Sequence, residues 1–319
     1  MLKLRKLLEK INTQESFEGE LRFDEPMALH TTFKVGGPAD LWIRPQGDRF
    51  PAYAAALLSA AKAEQIPVFI LGCGANLVVS DRGIRGIVLD TTGWSGWRFE
   101  ADTVVIKGGT CVDDAAEACA DNNRAGLAFL AGMPGSIGGA IWMNARCYDV
   151  SVSDVLMETW ILNEDQQQEW VSLNPQDFDY KKSPFQNRPV LILGGRFRTT
   201  LQDRDSLFAE MHRYRQDRQA KGHYTLPSAG SAFKNNRAFG KPTGKIVDEL
   251  GLRGFAIGGA KVADWHGNII VNTGAATAQD ILQLTREVQR RVKVACGFDL
   301  ECEILFVGDW DPEYPEKGR

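Results

Sequence analysis

The chain has 319 residues, 44% of them hydrophobic, which is enough to fill two or three cores rather than one. Its 37 Lys and Arg against 41 Asp and Glu leave a formal charge of −4, which argues against a general nucleic-acid or anionic-membrane binder and leaves room for a local anion pocket. The longest purely apolar runs, such as Pro67–Leu71, fall far short of the ~20 residues that a membrane-spanning helix needs, so a soluble protein without a membrane partner is expected.

The amino terminus, MLKLRKLLEKI, interleaves charges with Leu2, Leu4, Leu7, Leu8 and Ile11. That is the pattern of an amphipathic helix packed on the body; a signal peptide needs an unbroken apolar core. Strong helix formers fill residues 52–65, and the apolar run Pro67–Leu71 follows as a buried strand. Gly72-Cys73-Gly74-Ala75-Asn76 then opens directly into Leu77–Asp81, and GIRGIVLD reads as a further strand. This turn joins strand to strand, whereas a Rossmann site needs a helix after its glycines, so the Rossmann reading is disfavoured.

Residues 99–107 read as strands and 111–123 as a helix ending near Gly126. The segment Ala131–Ala140 places Gly132, Gly135, Gly138 and Gly139 close together, a density that lets a backbone approach something closely, and it enters the apolar stretch IWMNA. Strands are expected near 155–163, 168–172 and 190–198, then a polar helix over 203–219 with a domain boundary near 205. The last third offers a helix over 244–251, strands around 257–272, and a long helix. Thr277 caps that helix with Asp280 three residues on, Ile281, Leu284, Val288, Val292 and Ala295 line one face, and Gly297 ends it. DLECEILFVG closes the chain's fold as a strand, and mixed helices and strands throughout predict α+β or α/β architecture.

Six scattered cysteines without a C-x-x-C pair fit reduced thiols in a cytoplasm, and four histidines without metal-ligand spacing give no reason to expect a metal. The two glycine-rich turns could form an anion nest for a phosphate or pyrophosphate, or could be tight turns alone. Glu301 and Glu303 alternate with apolar residues, so a strand would put both on one face, either merely solvated or including a buried glutamate able to exchange protons. Ser231, in "SAGSAFKNN", lacks the G-x-S-x-G elbow of a hydrolase; it reads as a turn serine, or as an anchor or proton donor, with Lys234 a surface charge or anion anchor.

Seven segments in order, LHTTFKVGGPADLW, LGCGANLVVSDRGIRGIVLD, AGMPGSIGGAIWMNA, DYKKSPF, AGSAFKN, GKIVDELGLRG and LECEILFVG, together resemble the UDP-N-acetylenolpyruvoylglucosamine reductase (MurB) family, in its shorter type without a tyrosine-bearing insertion. The resemblance runs over residues 29 to 308. It implies an α+β fold: a two-subdomain FAD-binding fold of the vanillyl-alcohol-oxidase (PCMH) type plus a C-terminal α+β substrate domain. The expected division is a lead-in over 1–28, FAD subdomains over 29–87 and 88–204, and a substrate domain over 205–319.

By the same resemblance, FAD would lie against Gly72, Cys73, Gly74, Ala75, Asn76 and Leu77 and against Gly132, Pro134, Gly135, Ser136, Gly138 and Gly139. NADPH would give a hydride to flavin N5, which passes it to the enolpyruvyl C3 of UDP-N-acetylglucosamine enolpyruvate. Ser231 would deliver a proton to C2, Glu303 would polarise the substrate carboxylate, and Tyr180, Lys234 and Asn235 would contact the substrate. The chain departs from the family pattern at Lys181, which stands where an arginine steadies the developing enolate; the charge is kept and the planar fork lost. Arg146 and Asp149 replace two glycines, so the backbone of that loop is expected to change, and Asn236 replaces a proline. A cytoplasmic monomer that binds no nucleic acid is expected. Two other readings stay open at this point: a different FAD-dependent oxidoreductase on the same scaffold, and a nucleotide-sugar-binding relative with weakened turnover.

Overall fold

Leu4, Leu7, Leu8 and Ile11 do form one buried stripe, on a helix spanning Leu2–Asn12. They meet Phe50, Tyr53 and Leu57 of the helix Phe50–Ala63, so the amphipathic amino terminus is part of a core. The computed structural model describes residues 2–13 and 15–311; the remaining positions of the expected first and last regions lie outside the described residues.

The chain divides into two compact units. One comprises Met1–Phe23, Leu41–Cys73 and Gly86–Gln216, the other Asp24–Asp40, Gly74–Arg85 and Asp217–Arg319. The division falls within the helix Arg204–Ala220.

In the first unit, a five-stranded antiparallel sheet runs in the order Gln168–Ser172, Leu156–Leu162, Leu191–Arg198, Thr103–Lys107, Trp97–Glu100. Its inner strand Thr103–Lys107 is rich in β-branched residues and, like Leu191–Arg198, mostly buried, whereas no residue of the edge strands Gln168–Ser172 and Trp97–Glu100 is buried. Val104 and Ile106 point into a core shared with the helices Val112–Asp121 and Ile137–Trp142. A second sheet has the order Gly19–Pro26, Pro38–Pro45, Ile84–Asp90, Val68–Leu71, with most residues of those strands in this unit; its last two strands pair in parallel. In Ile84–Asp90 every residue but Arg85 is buried, while in Val68–Leu71 Leu71 is buried and the other three are partly so.

In the second unit, an antiparallel meander of Ala256–Ile257, Ala260–Val262 and Ile270–Asn272 packs with the helices Thr243–Glu249 and Ala278–Cys296. The long helix begins and ends where its sequence signals place it: Thr277 and Asp280 form a reciprocal capping box, and Gly297 takes a left-handed φ of 75°. Its first free amides have a further partner in Asp81, whose carboxylate accepts from Ala278 N at 2.9 Å and Gln279 N at 3.0 Å. Ile281, Leu284, Val288 and Val292 are buried, but Ala295 is exposed, because the last turn runs past the core.

The carboxyl-terminal strand is shorter than DLECEILFVG suggests. Only Leu305–Val307 is a strand, paired in parallel with Leu77–Val79. Ahead of it the chain bends at 303–304, and the two glutamates differ in exposure: the Glu301 side chain is 70% exposed, whereas Glu303 is 9% exposed. Among the described residues, no helix is long and apolar enough to cross a membrane.

Candidate functional site

The strand Val68–Leu71 delivers Gly72 against the second glycine-rich segment. A Cβ placed on Gly72 would lie 2.3 Å from Ser136 Oγ, so glycine is the residue that lets these two segments touch. Ser136 is buried, and its hydroxyl accepts from Gly139 N at 3.2 Å, capping the helix Ile137–Trp142 where the sequence suggested only an apolar stretch.

The second segment is held rigidly from outside. Gly132 N donates to Asp113 Oδ1 at 2.7 Å, Val112 N to Gly135 O at 3.0 Å, Ile137 N to Thr110 O at 2.9 Å, and Gly138 N to Gly108 O at 2.7 Å. Gly135, at φ 144°, has open space where a side chain would stand. The amides of Gly132, Ile137, Gly138 and Gly139 are thus already given to protein acceptors, and what the glycines offer a cofactor is close approach to backbone without side chains. Cys73, beside Gly72, is a poor nucleophile: burial first, then Cys111, Asp90 and Asp114, push its thiol up to about 12.

Tyr180 and Lys181 occupy the middle of a four-residue turn. Lys182 N donates to Asp179 O at 3.0 Å, and Asp179 N to Lys182 O at 3.3 Å. Tyr180 is exposed at 37%, and Lys181 is partly buried with a left-handed φ of 59°. The turn is fastened to neighbouring chain by side-chain amides: Asn144 Nδ2 donates to Asp179 O at 3.0 Å and Gln186 Nε2 to Lys181 O at 3.0 Å.

The loop with Arg146 and Asp149 is a small hairpin whose two-residue strands are Arg146–Cys147 and Val150–Ser151. The positive φ values fall on Tyr148 (49°) and Asp149 (63°), and Arg146 stays extended in its strand, where it pairs with Asp149 at 3.1 Å and donates to Ser151 Oγ at 3.2 Å. Tyr148 is anchored by its stack on Tyr214 and by Oη donating to Tyr214 O at 3.0 Å.

In the second unit, Gly74 has a φ of 62°, and a Cβ there would lie 2.0 Å from His30 O. Asn76 Nδ2 donates to Glu303 O at 2.9 Å, and Asn76 O accepts from Leu305 N at 2.9 Å. Ser231 follows the left-handed Gly230 and bridges to Ile269. The next residues are clamped on both sides: Glu303 N donates to Ala232 O at 2.8 Å, Lys234 N to Glu301 O at 2.9 Å, and Ala232 N to Asn268 O at 2.8 Å. The buried Asn268 side chain closes the clamp, accepting from Phe233 N at 3.0 Å and donating to Phe233 O at 2.8 Å. Ser231 and Glu303 thus sit on backbone joined through Ala232.

Lys234 and Asn235 carry structural bonds as well. Lys234 Nζ pairs with Glu301 Oε1 at 2.5 Å. Asn235 Oδ1 accepts from Thr243 N at 2.9 Å at the start of the helix Thr243–Glu249. Two residues of this framework, Gln186 and Asn268, carry no motif in the sequence. They act through amide groups on backbone, which leaves neither periodicity nor spacing to read.

A family model described as the UDP-N-acetylenolpyruvoylglucosamine reductase C-terminal domain matches residues 222–307, and one described as an FAD binding domain matches residues 51–171. The UDP-N-acetylenolpyruvoylglucosamine reductase of Treponema denticola is 40% identical over 94% of this chain and 97% of its own length. That of Borreliella burgdorferi is 34% identical over 96% of this chain and 98% of its own. The crystal structure of the Thermus caldophilus UDP-N-acetylenolpyruvylglucosamine reductase is similar with a TM-score of 0.74 and 27% identity, covering 91% of this chain and 99% of that one. These findings agree with the α+β flavin-binding fold expected from the ordered segments.

Proposed function

The chain belongs to the UDP-N-acetylenolpyruvoylglucosamine reductase family, and from that premise we propose that it reduces the enolpyruvyl group of UDP-N-acetylglucosamine enolpyruvate to the lactyl group of UDP-N-acetylmuramate, a step of peptidoglycan precursor synthesis. FAD is the resident cofactor and NADPH the hydride source. The observation that carries the reading is the clamp around Ala232, which fixes the Ser231 and Glu303 backbones within the region matching the family's C-terminal domain. That match to 222–307 also favours this reading over another oxidoreductase on a flavin scaffold.

Gly72, Cys73, Gly74, Ala75, Asn76 and Leu77, with Gly132, Pro134, Gly135, Ser136, Gly138 and Gly139, would line the cofactor's pyrophosphate, the glycines letting it approach the backbone closely. Bound there, FAD would supply to C3 of the substrate double bond a hydride that NADPH provides. Addition at C3 leaves an electron pair on C2, in conjugation with the substrate carboxylate. The Ser231 hydroxyl gives its proton to C2, closing the C–H bond, and recovers a proton from solvent. Serine is a weak acid, and it serves here because the carbanion is strongly basic and the neighbouring Ala232 backbone is hydrogen-bonded on both sides.

Lys181 supplies the cation that offsets charge spreading onto the substrate carboxylate. Glu303 polarises that carboxylate. Tyr180, Lys234 and Asn235 contact the nucleotide sugar; for Lys234 the substrate diphosphate competes with Glu301 for the ammonium. Regions 29–87 and 88–204 serve the flavin and 205–319 the nucleotide sugar, in a monomer working in the cytoplasm without membrane or nucleic-acid partners.

The test is anaerobic. Purified protein should be yellow, NADPH should bleach it, and UDP-N-acetylglucosamine enolpyruvate should restore the colour with formation of the lactyl product. A preparation that cannot take up FAD, or one bleached by NADPH and not restored by this substrate, overturns the proposal.

A further inference from the structure

We infer that Gln186 is a positioning residue for the Lys181 cation: its side-chain amide, shared between Lys181 O and Trp142 O, ties the cation's turn to the end of the helix that begins in the glycine-rich segment. The inference rests on the role proposed above for Lys181.

Lys181 holds a φ of 59° in the third position of the Asp179–Lys182 turn, a conformation that costs a non-glycine residue about 1–2 kcal/mol. Such a backbone persists where its surroundings over-determine it. Gln186 Nε2 meets Lys181 O at 3.0 Å and Trp142 O at 3.0 Å, so both of its N–H bonds have acceptors. Ser183 Oγ donates to the same Trp142 carbonyl at 2.7 Å, and Asn144, two residues past Trp142, holds Asp179 O at 3.0 Å. The helix Ile137–Trp142 carries Ser136 as its cap, so one short rigid element bears a pyrophosphate turn at its start and the cation's anchor at its end.

A lysine that has lost the fork of arginine directs charge from a single point, and its aim depends on where its backbone stands. Gln186 grips the Lys181 carbonyl itself. Removing its donors frees the φ of Lys181 to relax and swings the ammonium away from the carboxylate it is to neutralise, while leaving the glycine turns intact.

The experiment uses the holoenzyme in rapid-mixing measurements that separate flavin bleaching by NADPH from flavin recovery by UDP-N-acetylglucosamine enolpyruvate. Gln186→Met keeps the length and removes both donors; Lys181→Met removes the cation. Gln186→Met is expected to slow flavin recovery about tenfold, a loss typical of a displaced catalytic group, with bleaching by NADPH unchanged. In the Lys181→Met background, Gln186→Met should cost nothing further, because the two act as one unit. A Gln186→Met enzyme as fast as wild type, or one that loses the same factor with Lys181 already gone, overturns the inference. Lys181→Met at full speed overturns instead the underlying reading of Lys181. Should Gln186→Met fail to fold, Gln186→Glu is read by the same criteria, since its carboxylate has the same reach and no donor.

Discussion

The side-chain amide of Asn76 donates to the backbone carbonyl of Glu303 at 2.9 Å, across 227 residues of chain. Asn76 belongs to the glycine-rich turn, and the strand that follows it pairs with Leu305–Val307. The turn assigned to the flavin therefore also sets the place of the glutamate assigned to the substrate. Asn76→Ala should slow flavin recovery by the enolpyruvyl substrate about tenfold, and the unsatisfied carbonyl should lower stability by about 1–3 kcal/mol. Flavin content fixes which duty matters: loss of FAD with normal recovery in the remaining holoenzyme would confine Asn76 to cofactor binding.

Ser231 sits at the entrance of the clamp on Ala232 and Phe233. Ser231→Ala removes the hydroxyl and leaves the clamp, which is made by backbone and Asn268. Bleaching by NADPH should proceed as in wild type, and lactyl product should form about 10²–10⁴-fold more slowly, the range for loss of a positioned acid. Normal product formation would remove Ser231 from proton delivery.

Gly72 faces Ser136 so closely that a methyl group cannot fit, at 2.3 Å from the hydroxyl oxygen. Gly72→Ala should reduce stability by about 1–3 kcal/mol through overpacking and cut the flavin content of the purified protein. Adding Ser136→Gly should recover part of the flavin content, since the clash is then gone. Full flavin occupancy in Gly72→Ala would show that the two turns are free to separate.

His223 in the second unit is kept neutral: burial first, then the positive charges of Arg218, His266 and Lys221, lower its pKa from 6.5 to about 4. His266 is lowered too, chiefly by burial. Below pH 6.5 the unfolded chain binds protons that the folded chain refuses, so folding stability is present above that pH and falls as the pH drops toward about 4. Denaturant titrations at a series of pH values should show this loss, and His223→Gln should flatten it. An unchanged slope in His223→Gln would assign the acid sensitivity to other groups.

The sequence by itself determined what depends on near neighbours. The amphipathic stripe of the first helix, the capping box of Thr277 with Asp280, the left-handed Gly297 and the strand-turn-strand at Gly72 are local preferences written in consecutive residues, and ordered segments of that kind also carried the family. Local alternation extended the last strand too far: only Leu305–Val307 is a strand, and the chain bends at 303–304, where Glu303 bonds Ala232 and Asn76 from elsewhere in the chain.

Tertiary structure alone decided which polar groups hold the candidate site. Asn268 on Phe233, Asn76 on Glu303, and Gln186 between Lys181 and Trp142 are amides satisfying distant backbone. A carbonyl accepts from any donor that folding brings to it, so such a bond has no fixed spacing in sequence, while its loss leaves a buried group unpaired.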